Sequence, residues 1–281
     1  MSAEHSRLAH ALRALHLSSF AGRLEEVTRM AESQGWTFLQ YLEHLAELEL
    51  DDRLRRRIER LFKASGLPED KTLSRLATKD LPEKVRRVLP ALCEGHFLGR
   101  TENVLAFGLP GRGKTHLLCA IGHELVRRGH TVLFVPAYRL VQSLLIAKRD
   151  LTLEKELKKL DRFEAVIIDD IGYVQQEREE MEVLFTFLAE RYERGSVMIS
   201  SNLVFSQWDR IFKDSMTTAA AIDRLVHHSV ILELAGESHR TQEAKRRNGP
   251  AESRAPDDGH GLDLSSEVEK SVMAAEEDAQ V

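Results

Sequence analysis

Cysteine is scarce in this chain. There are two in 281 residues, Cys93 and Cys119, and neither sits in a CxxC pair. A disulfide scaffold is thereby excluded, and two buried or half-buried thiols in a reducing compartment are expected. Long apolar runs are missing too. The longest, Val132 to Tyr138 counting Pro136, is far short of the ~20 residues that span a bilayer, so no membrane segment is expected. The opening Met1-Ser2-Ala3-Glu4-His5-Ser6 has no apolar core and no small-residue cleavage site, so it is not read as a secretory signal. A cytoplasmic location is the expectation. Hydrophobic residues make up 42% and charged residues 30%, a charge-rich but globular composition. At ~150 residues per domain, one or two domains are expected.

The net charge of −5 is unevenly placed. From Asn248 to the end there are nine acidic residues against two basic ones, which leaves a net +2 on everything before it. The mildly acidic total therefore does not argue against a nucleic-acid partner.

Four regions are expected along the chain: a helical domain over 1–66, a connector over 67–98, a nucleotide-binding core over 99–247 and a disordered acidic tail over 248–281. In the first, Leu8, Leu12 and Leu15 repeat at helical spacing, as do Leu39, Leu42, Leu45 and Leu48. Gly35 breaks the pattern between them, and Thr37 is a plausible cap for the next helix. Arg53 to Lys63 is the densest basic segment. Its apolar residues Leu54, Ile58, Leu61 and Phe62 share one helix face, and Arg53, Arg55, Arg56, Arg57, Arg60 and Lys63 cover the remainder. That surface is read either as a solvated face or as a phosphate-binding face for DNA. From Asn103 on, short β-rich runs (Asn103–Phe107, Thr131–Val135, Ala165–Asp169, Ser196–Ser200, Ser229–Glu233) alternate with helical stretches (Lys114–Arg128, Ala137–Ala147, Leu153–Arg162, Glu177–Arg194). Continuous apolar strands alternating with helices predict an α/β fold with a parallel sheet covered on both faces.

Gly108-Leu109-Pro110-Gly111-Arg112-Gly113-Lys114-Thr115 fits GxxxxGK[ST], a match that chance produces in roughly one chain of this length in a hundred. It follows a β-rich run and opens an amphipathic helix, as a phosphate-binding P-loop requires. Glycines let backbone N–H groups encircle phosphate oxygens, and the helix presents its positive end to them. Lys114 is expected to reach the β- and γ-phosphates of ATP, and the Thr115 hydroxyl to ligate Mg²⁺. Gly108, Pro110, Gly111, Arg112, Gly113 and His116 complete the expected nucleotide-binding set.

Ala165-Val166-Ile167-Ile168-Asp169-Asp170 is an apolar run that ends in acids. It places carboxylates at the C-terminal edge of a parallel strand, where ligands bind in such sheets. Asp169 is the expected Mg²⁺-side acid, and Asp170 the expected base that orients water. Asn202 closes the next strand and is expected near the γ-phosphate or the attacking water. His227 and His228 are adjacent, so their rings diverge on any regular element and no metal site is expected there.

Several segments together resemble the IstB family, the ATPase helpers of insertion-sequence transposases, which belong to the AAA+ group and are close to the DnaC helicase loaders. They are Gly113-Lys114-Thr115-His116-Leu117, Asp169-Asp170-Ile171-Gly172-Tyr173, Glu190-Arg191-Tyr192-Glu193-Arg194, Ser200-Ser201-Asn202-Leu203 with Trp208, Ala220-Ala221-Ile222-Asp223-Arg224-Leu225, and Gly236-Glu237-Ser238-His239-Arg240. The resemblance runs loosely from Ala3 and tightly from Asn103 to Arg240. It implies a five-stranded AAA+ core preceded by a small all-helical domain, and assembly into a homo-oligomer in the presence of ATP and double-stranded DNA. It also implies recruitment or stimulation of a transposase. It further implies that Arg224 is an arginine finger reaching a neighbouring subunit's γ-phosphate. Arg240 would be a second sensor arginine acting on its own subunit's nucleotide. Three positions depart from the family pattern. Arg112 stands where many relatives carry a small residue, Asp170 where Glu is common, and His239 where Tyr is frequent. The first two bear on the hydrolysis rate.

The function expected is an ATP-dependent, DNA-binding, oligomeric ATPase that assists a transposase in choosing target DNA. A helicase-loader-like ATPase is the alternative. A small-molecule P-loop kinase fits less well, because the insertions between core elements are short and Asn202, Arg224 and Arg240 would have no role in it.

Overall fold

The computed structural model describes residues 3–173, 177–203, 208, 215–226 and 228–234. Arg240, His239, His227 and the acidic tail lie outside the described residues. Residues Met1–Gln242 make up one compact unit.

The chain opens with three helices, α1 (Ala3–Ala14), α2 (Ser18–Gln34) and α3 (Phe38–Ser65). The punctuation between α2 and α3 is the one the sequence predicts. Gly35 ends α2 at φ 64°, a left-handed conformation that glycine adopts without strain. Thr37 caps α3 through a reciprocal capping box with Gln40. A tertiary cap joins the helices as well: the buried Glu49 carboxylate on α3 accepts from the Ser19 N–H at the start of α2, at 2.8 Å. Burial works against that charge. Hydrogen bonds from Arg53 and from the Ser19 and Phe20 backbone outweigh it and hold the carboxyl below its ordinary value.

The core of this helical region is small: Leu24, Val27 and Leu45, edged by Leu12, Phe20, Trp36, Tyr41 and Leu48. Of the leucines expected to line one helix face, Leu45 is buried, whereas Leu39 and Leu42 are 75% and 55% exposed. Two short helices cannot cover every turn of a 28-residue α3. The far end of α3 belongs to a different core, because Leu61 and Phe62 pack against the sheet's helical cover.

A connector with two 3₁₀ turns, Leu73–Arg75 and Thr78–Asp80, leads to α4 (Glu83–Glu94). Then β1 (Asn103–Phe107), α5 (Lys114–Arg127), β2 (Val132–Pro136), α6 (Ala137–Arg149), α7 (Leu153–Leu160), β3 (Ala165–Asp169), α8 (Arg178–Arg191), β4 (Ser196–Ser201), α9 (Ser215–Val226) and β5 (Ser229–Glu233) follow. The five strands form one sheet in the order β2-β3-β4-β1-β5, and every pairing is parallel.

Side chains alternate across this sheet with the period of two that a strand imposes. Val104, Ala106, Ile167 and Met198 join a core with α4, α5 and the connector. Leu105, Phe107, Val166, Ile168, Val197 and Ile199 join a second core with α6, α8 and α9. Both faces are covered, which is why the strands read as unbroken apolar runs. Cys93 and Cys119 are buried in the first of these cores, and burial pushes their thiols up to about 11 and about 12.

Helix α8 stops at Arg191, three residues before the predicted end. Arg191 is 3% exposed and turns inward. Its guanidinium donates to the carbonyls of Leu160, Phe163, Glu164 and Ser196 at 2.8–3.2 Å. Only a glycine fits beside it, since a Cβ at position 195 would lie 2.5 Å from the Arg191 Nη2.

Candidate nucleotide site

In a parallel sheet all strand ends of one polarity share an edge. The C-terminal edge here gathers the loop after β1, the acids that end β3 and the polar end of β4. At Gly108 a side chain would meet the Leu234 carbonyl at 2.5 Å, so glycine is required where the loop leaves β1. Gly113 at φ 81° turns the chain into α5, whose first residue is Lys114. The Lys114 side chain is buried and folds back over the loop, donating to the carbonyls of Gly108 and Leu109 at 2.7 and 3.0 Å.

Thr115, the next residue, points at β3. Its hydroxyl donates to the Asp169 Oδ1 at 2.7 Å. The same oxygen accepts from the Ser200 hydroxyl at 2.6 Å, and that hydroxyl in turn accepts from the Asp170 N–H at 2.8 Å. Ser200 therefore fixes both acids from the neighbouring strand. Asp170 sits at φ 57°, a left-handed conformation that is strained for a residue with a side chain. Asn202 follows β4 and lies against Gly172, the position two residues after Asp170.

Lys71, Pro110, Gly111, Arg112, Gly113, Lys114, Thr115, His116, Asp170 and Asn202 line one cleft. Apart from Lys71, every one of them was singled out in the sequence. Among the described residues, three buried polar atoms around this cleft have no hydrogen-bond partner: Nε and Nη1 of Arg112 and Oδ1 of Asn202. A half-buried guanidinium with two unpaired N–H-bearing nitrogens beside a phosphate loop suits an anion. The Thr115 hydroxyl and the Asp169 carboxylate are hard oxygen donors of the kind Mg²⁺ takes. The residues present thus fit a magnesium nucleotide.

His116 lines the cleft, but its ring is engaged with the connector, donating to the Thr72 carbonyl at 3.0 Å. Two participants were given no role from the sequence. Ser200 was visible as a polar residue closing an apolar strand. Lys71 had no local signal, because only the fold brings the connector to the loop.

Arg224 lies elsewhere. It borders a pocket with Thr101, Asn103, Gly195, Val197 and His228, all at or just before the starts of β1, β4 and β5. That is the N-terminal edge of the sheet, opposite the cleft. A five-residue strand separates the two edges by roughly 13 Å. The guanidinium stacks over the Phe185 ring at 4.9 Å, and among the described residues its buried Nη1 has no hydrogen-bond partner.

The structure divides the six basic residues of α3. Arg53 donates to the His16 carbonyl and pairs with Glu49, Arg56 donates to the Ser18 and Ser19 hydroxyls, and Arg57 donates to the Gly129 carbonyl. These three fasten α3 to the N-terminal helices and to the end of α5. Arg55 pairs with Asp52 on its own helix, and Arg60 bonds its own helix's backbone. Arg60 and Lys63 are exposed.

An all-parallel five-stranded sheet in this order, with a phosphate loop after β1 and acids after β3, is a P-loop nucleotide-binding core of the AAA+ type. It is similar to AMPPCP-bound DnaA from Aquifex aeolicus, with a TM-score of 0.52 and 18% identity over 74% of this chain. The match spans about 60% of that DnaA chain. It is also similar to DnaI, with a TM-score of 0.51 and 21% identity over 61% of this chain and 96% of that one.

The chain belongs to the family of IstB-like ATP-binding proteins, whose sequence pattern matches residues 10–247. Its relatives include a Sinorhizobium fredii protein that is 40% identical over 250 residues, covering 88% of this chain and 84% of its own. The IS21 protein of Pseudomonas aeruginosa is 36% identical over 235 residues, covering 84% and 88%. The IS5376 protein of Geobacillus stearothermophilus is 36% identical over 231 residues, covering 82% and 92%. Each is named, by assignment, as an insertion-sequence ATP-binding protein. Among the described residues no helix is long and apolar enough to cross a membrane.

Proposed function

We propose that this protein is a Mg²⁺-dependent ATPase that binds double-stranded DNA, assembles with copies of itself when ATP and DNA are present, and assists a transposase in engaging target DNA. The observation that carries the ATPase reading is the meeting of four groups at one sheet edge: Lys114, the Thr115–Asp169–Ser200 network, strained Asp170 and unpaired Asn202. Transposition as the setting is supported by the insertion-sequence names of the relatives.

Lys114 exchanges its loop carbonyls for the β- and γ-phosphate oxygens. Arg112 adds its unpaired N–H groups to the same anion. Thr115 and Asp169 would hold Mg²⁺, which when bound would supply positive charge to the phosphates. Asp170 accepts the proton of the attacking water, and Asn202 orients that water or the γ-phosphate. Ser200 acts through the two acids and is a positioning residue. Arg224 serves the nucleotide of a neighbouring copy, and Arg240 that of its own. The regions 1–66, 67–98, 99–247 and 248–281 act as DNA- and partner-binding helices, connector, ATPase core and acidic tail.

Lys114→Ala is expected to weaken ATP binding by about two orders of magnitude, because a buried charge on the β/γ oxygens is lost. Direct titration of full-length protein with a fluorescent ATP analogue measures it. An affinity equal to that of the parent chain rejects the phosphate-site assignment.

DNA contact is assigned to the outward cations of α3. Replacing Arg55, Arg60 and Lys63 with Ala leaves the internal bonds of Arg53, Arg56 and Arg57 intact. It is expected to weaken binding about equally on unrelated duplexes. It should also flatten the log K against log salt slope by up to ~0.9 for each lost phosphate contact. A slope unchanged from the parent's would make this a merely solvated face.

A further inference from the structure

Two of the cations beside the cleft, Arg112 and Lys114, belong to the phosphate loop. The third, Lys71, comes from the connector, before the sheet begins. Its position is fixed from several sides. Its own N–H donates to the Pro68 carbonyl at 3.2 Å. Two histidines of α5 hold the segment on either side, His116 through the Thr72 carbonyl at 3.0 Å and His123 through the Pro68 carbonyl at 2.9 Å. Leu67 is buried in the core beside α5. The Lys71 charge is close enough to α5 to offset part of the burial that raises the Cys119 thiol. Among the described residues its ammonium has no ion-pair partner.

The end of the nucleotide it faces follows from helix geometry. Successive residues of an α-helix point about 100° apart. Thr115 points to Asp169 on β3, and His116 points to the connector. The connector therefore borders the cleft on the His116 side of α5, about 100° round from the Thr115 side that faces Asp169, while Asp170 and Asn202 line the same cleft. A γ-phosphate belongs beside Asp169, Asp170 and Asn202. The connector side meets the α-phosphate and the nucleoside.

We infer that Lys71 is a nucleotide-binding residue, contacting the α-phosphate side of a bound nucleoside di- or triphosphate, and that the nucleotide thereby fixes the connector that joins the N-terminal helices to the sheet. This rests on the ATP reading above and adds to it a ligand from outside the phosphate loop. It makes the connector a mechanical link: what the cleft holds decides how firmly the segment between α3 and α4 is held.

The test is titration of the full-length protein with fluorescent ATP and ADP analogues. Lys71→Ala is expected to weaken both by about tenfold or more, as loss of a charge-assisted hydrogen bond does. Lys71→Arg should stay within about threefold of the parent, because it keeps the cation. Lys79→Ala, an exposed connector cation outside the cleft, should leave both affinities unchanged. Unaltered ATP and ADP affinities in Lys71→Ala overturn the assignment. A loss confined to ATP overturns the α-phosphate placement. Failure of the parent chain to bind either nucleotide overturns the ATP reading itself, and is distinguishable because it appears without any substitution. Trypsin supplies a readout on the parent chain alone. ADP should slow cleavage after Lys71 more than cleavage after Lys79, and equal rates at both sites with and without ADP overturn the link to the connector.

Discussion

Arg224→Ala protein is expected to bind ATP as the parent does and to hydrolyse it about 10³-fold more slowly, or worse, if Arg224 acts as other arginine fingers do. In the proposed site the γ-phosphate meets Lys114 and Arg112, both from the loop itself, while Lys71 is assigned to the α-phosphate side. A transferring phosphoryl group spreads charge over its outer oxygens, and an arginine from outside the loop meets that charge with a planar two-pronged donor. Arg224 has the features of such a donor. It is half-buried, rests on the Phe185 ring, and leaves Nη1 without a hydrogen bond. It also sits at the N-terminal edge of the sheet, a strand's length from the cleft in its own chain. That placement favours action on a neighbour's nucleotide, which requires assembly, over action on its own.

Mixing separates the two cases. Asp170→Asn subunits retain Arg224 and lack the acid proposed to take the proton. Arg224→Ala subunits have the reverse defect. An assembly containing both forms some interfaces with one complete site, so part of the ATPase activity should return. A mixture as inactive as either variant, while gel filtration shows co-assembly, would sink the proposal that Arg224 works across subunits.

The second large effect is on stability. Arg191→Ala is expected to destabilise the folded unit by about 3–5 kcal/mol, the range seen when a buried, bonded charge is truncated. Four backbone carbonyls, from Leu160, Phe163, Glu164 and Ser196, would lose their donor inside the protein. Three of them lie between α7 and the start of β3, and the fourth begins β4, so one side chain ties two strand entrances together. Burial lowers the guanidinium to about 10, with Asp161 opposing that shift, so the group still carries its charge at neutral pH. At roughly 2–4 °C per kcal/mol for a unit of this size, the melting temperature should fall by about 6–20 °C. Arg191→Lys should recover little, since an ammonium lacks the fork that spans four acceptors. A fall of under about 3 °C in Arg191→Ala, by calorimetry or circular dichroism, would mean that the carbonyls find other partners.

Arg191 also shows where sequence reasoning stops. It stood within Glu190-Arg191-Tyr192-Glu193-Arg194, a charged cluster at a helix end that reads as surface. Nothing local marks Arg191 as the one member turned inward. Its partners are backbone carbonyls, which every residue has, and three of the four come from a segment about thirty positions away. Gly195 becomes intelligible only once that guanidinium is in place. The same holds for the basic stretch of α3. Six cations at helical spacing read as one surface, but three of them bond the N-terminal helices or Gly129, and those acceptors are set by how α3 lies across the molecule.

The phosphate loop, the strand ending in Asp169 and Asp170, the alternation of strands and helices, and the Gly35–Thr37 punctuation were all determined by the sequence alone. Each is a local matter. Glycine's φ freedom, a capping side chain, the two-residue period of a strand and the reach of a lysine at a helix start act within a few residues. Tertiary structure decided the rest. It brought Ser200 onto Asp169 and laid Lys71 beside the phosphate loop. It placed Arg224 at the edge of the sheet opposite the cleft and turned Arg191 inward. These depend on which parallel strands are neighbours and on which edge each loop emerges. That order comes from burying both faces of the sheet at once, so no window of the sequence contains it.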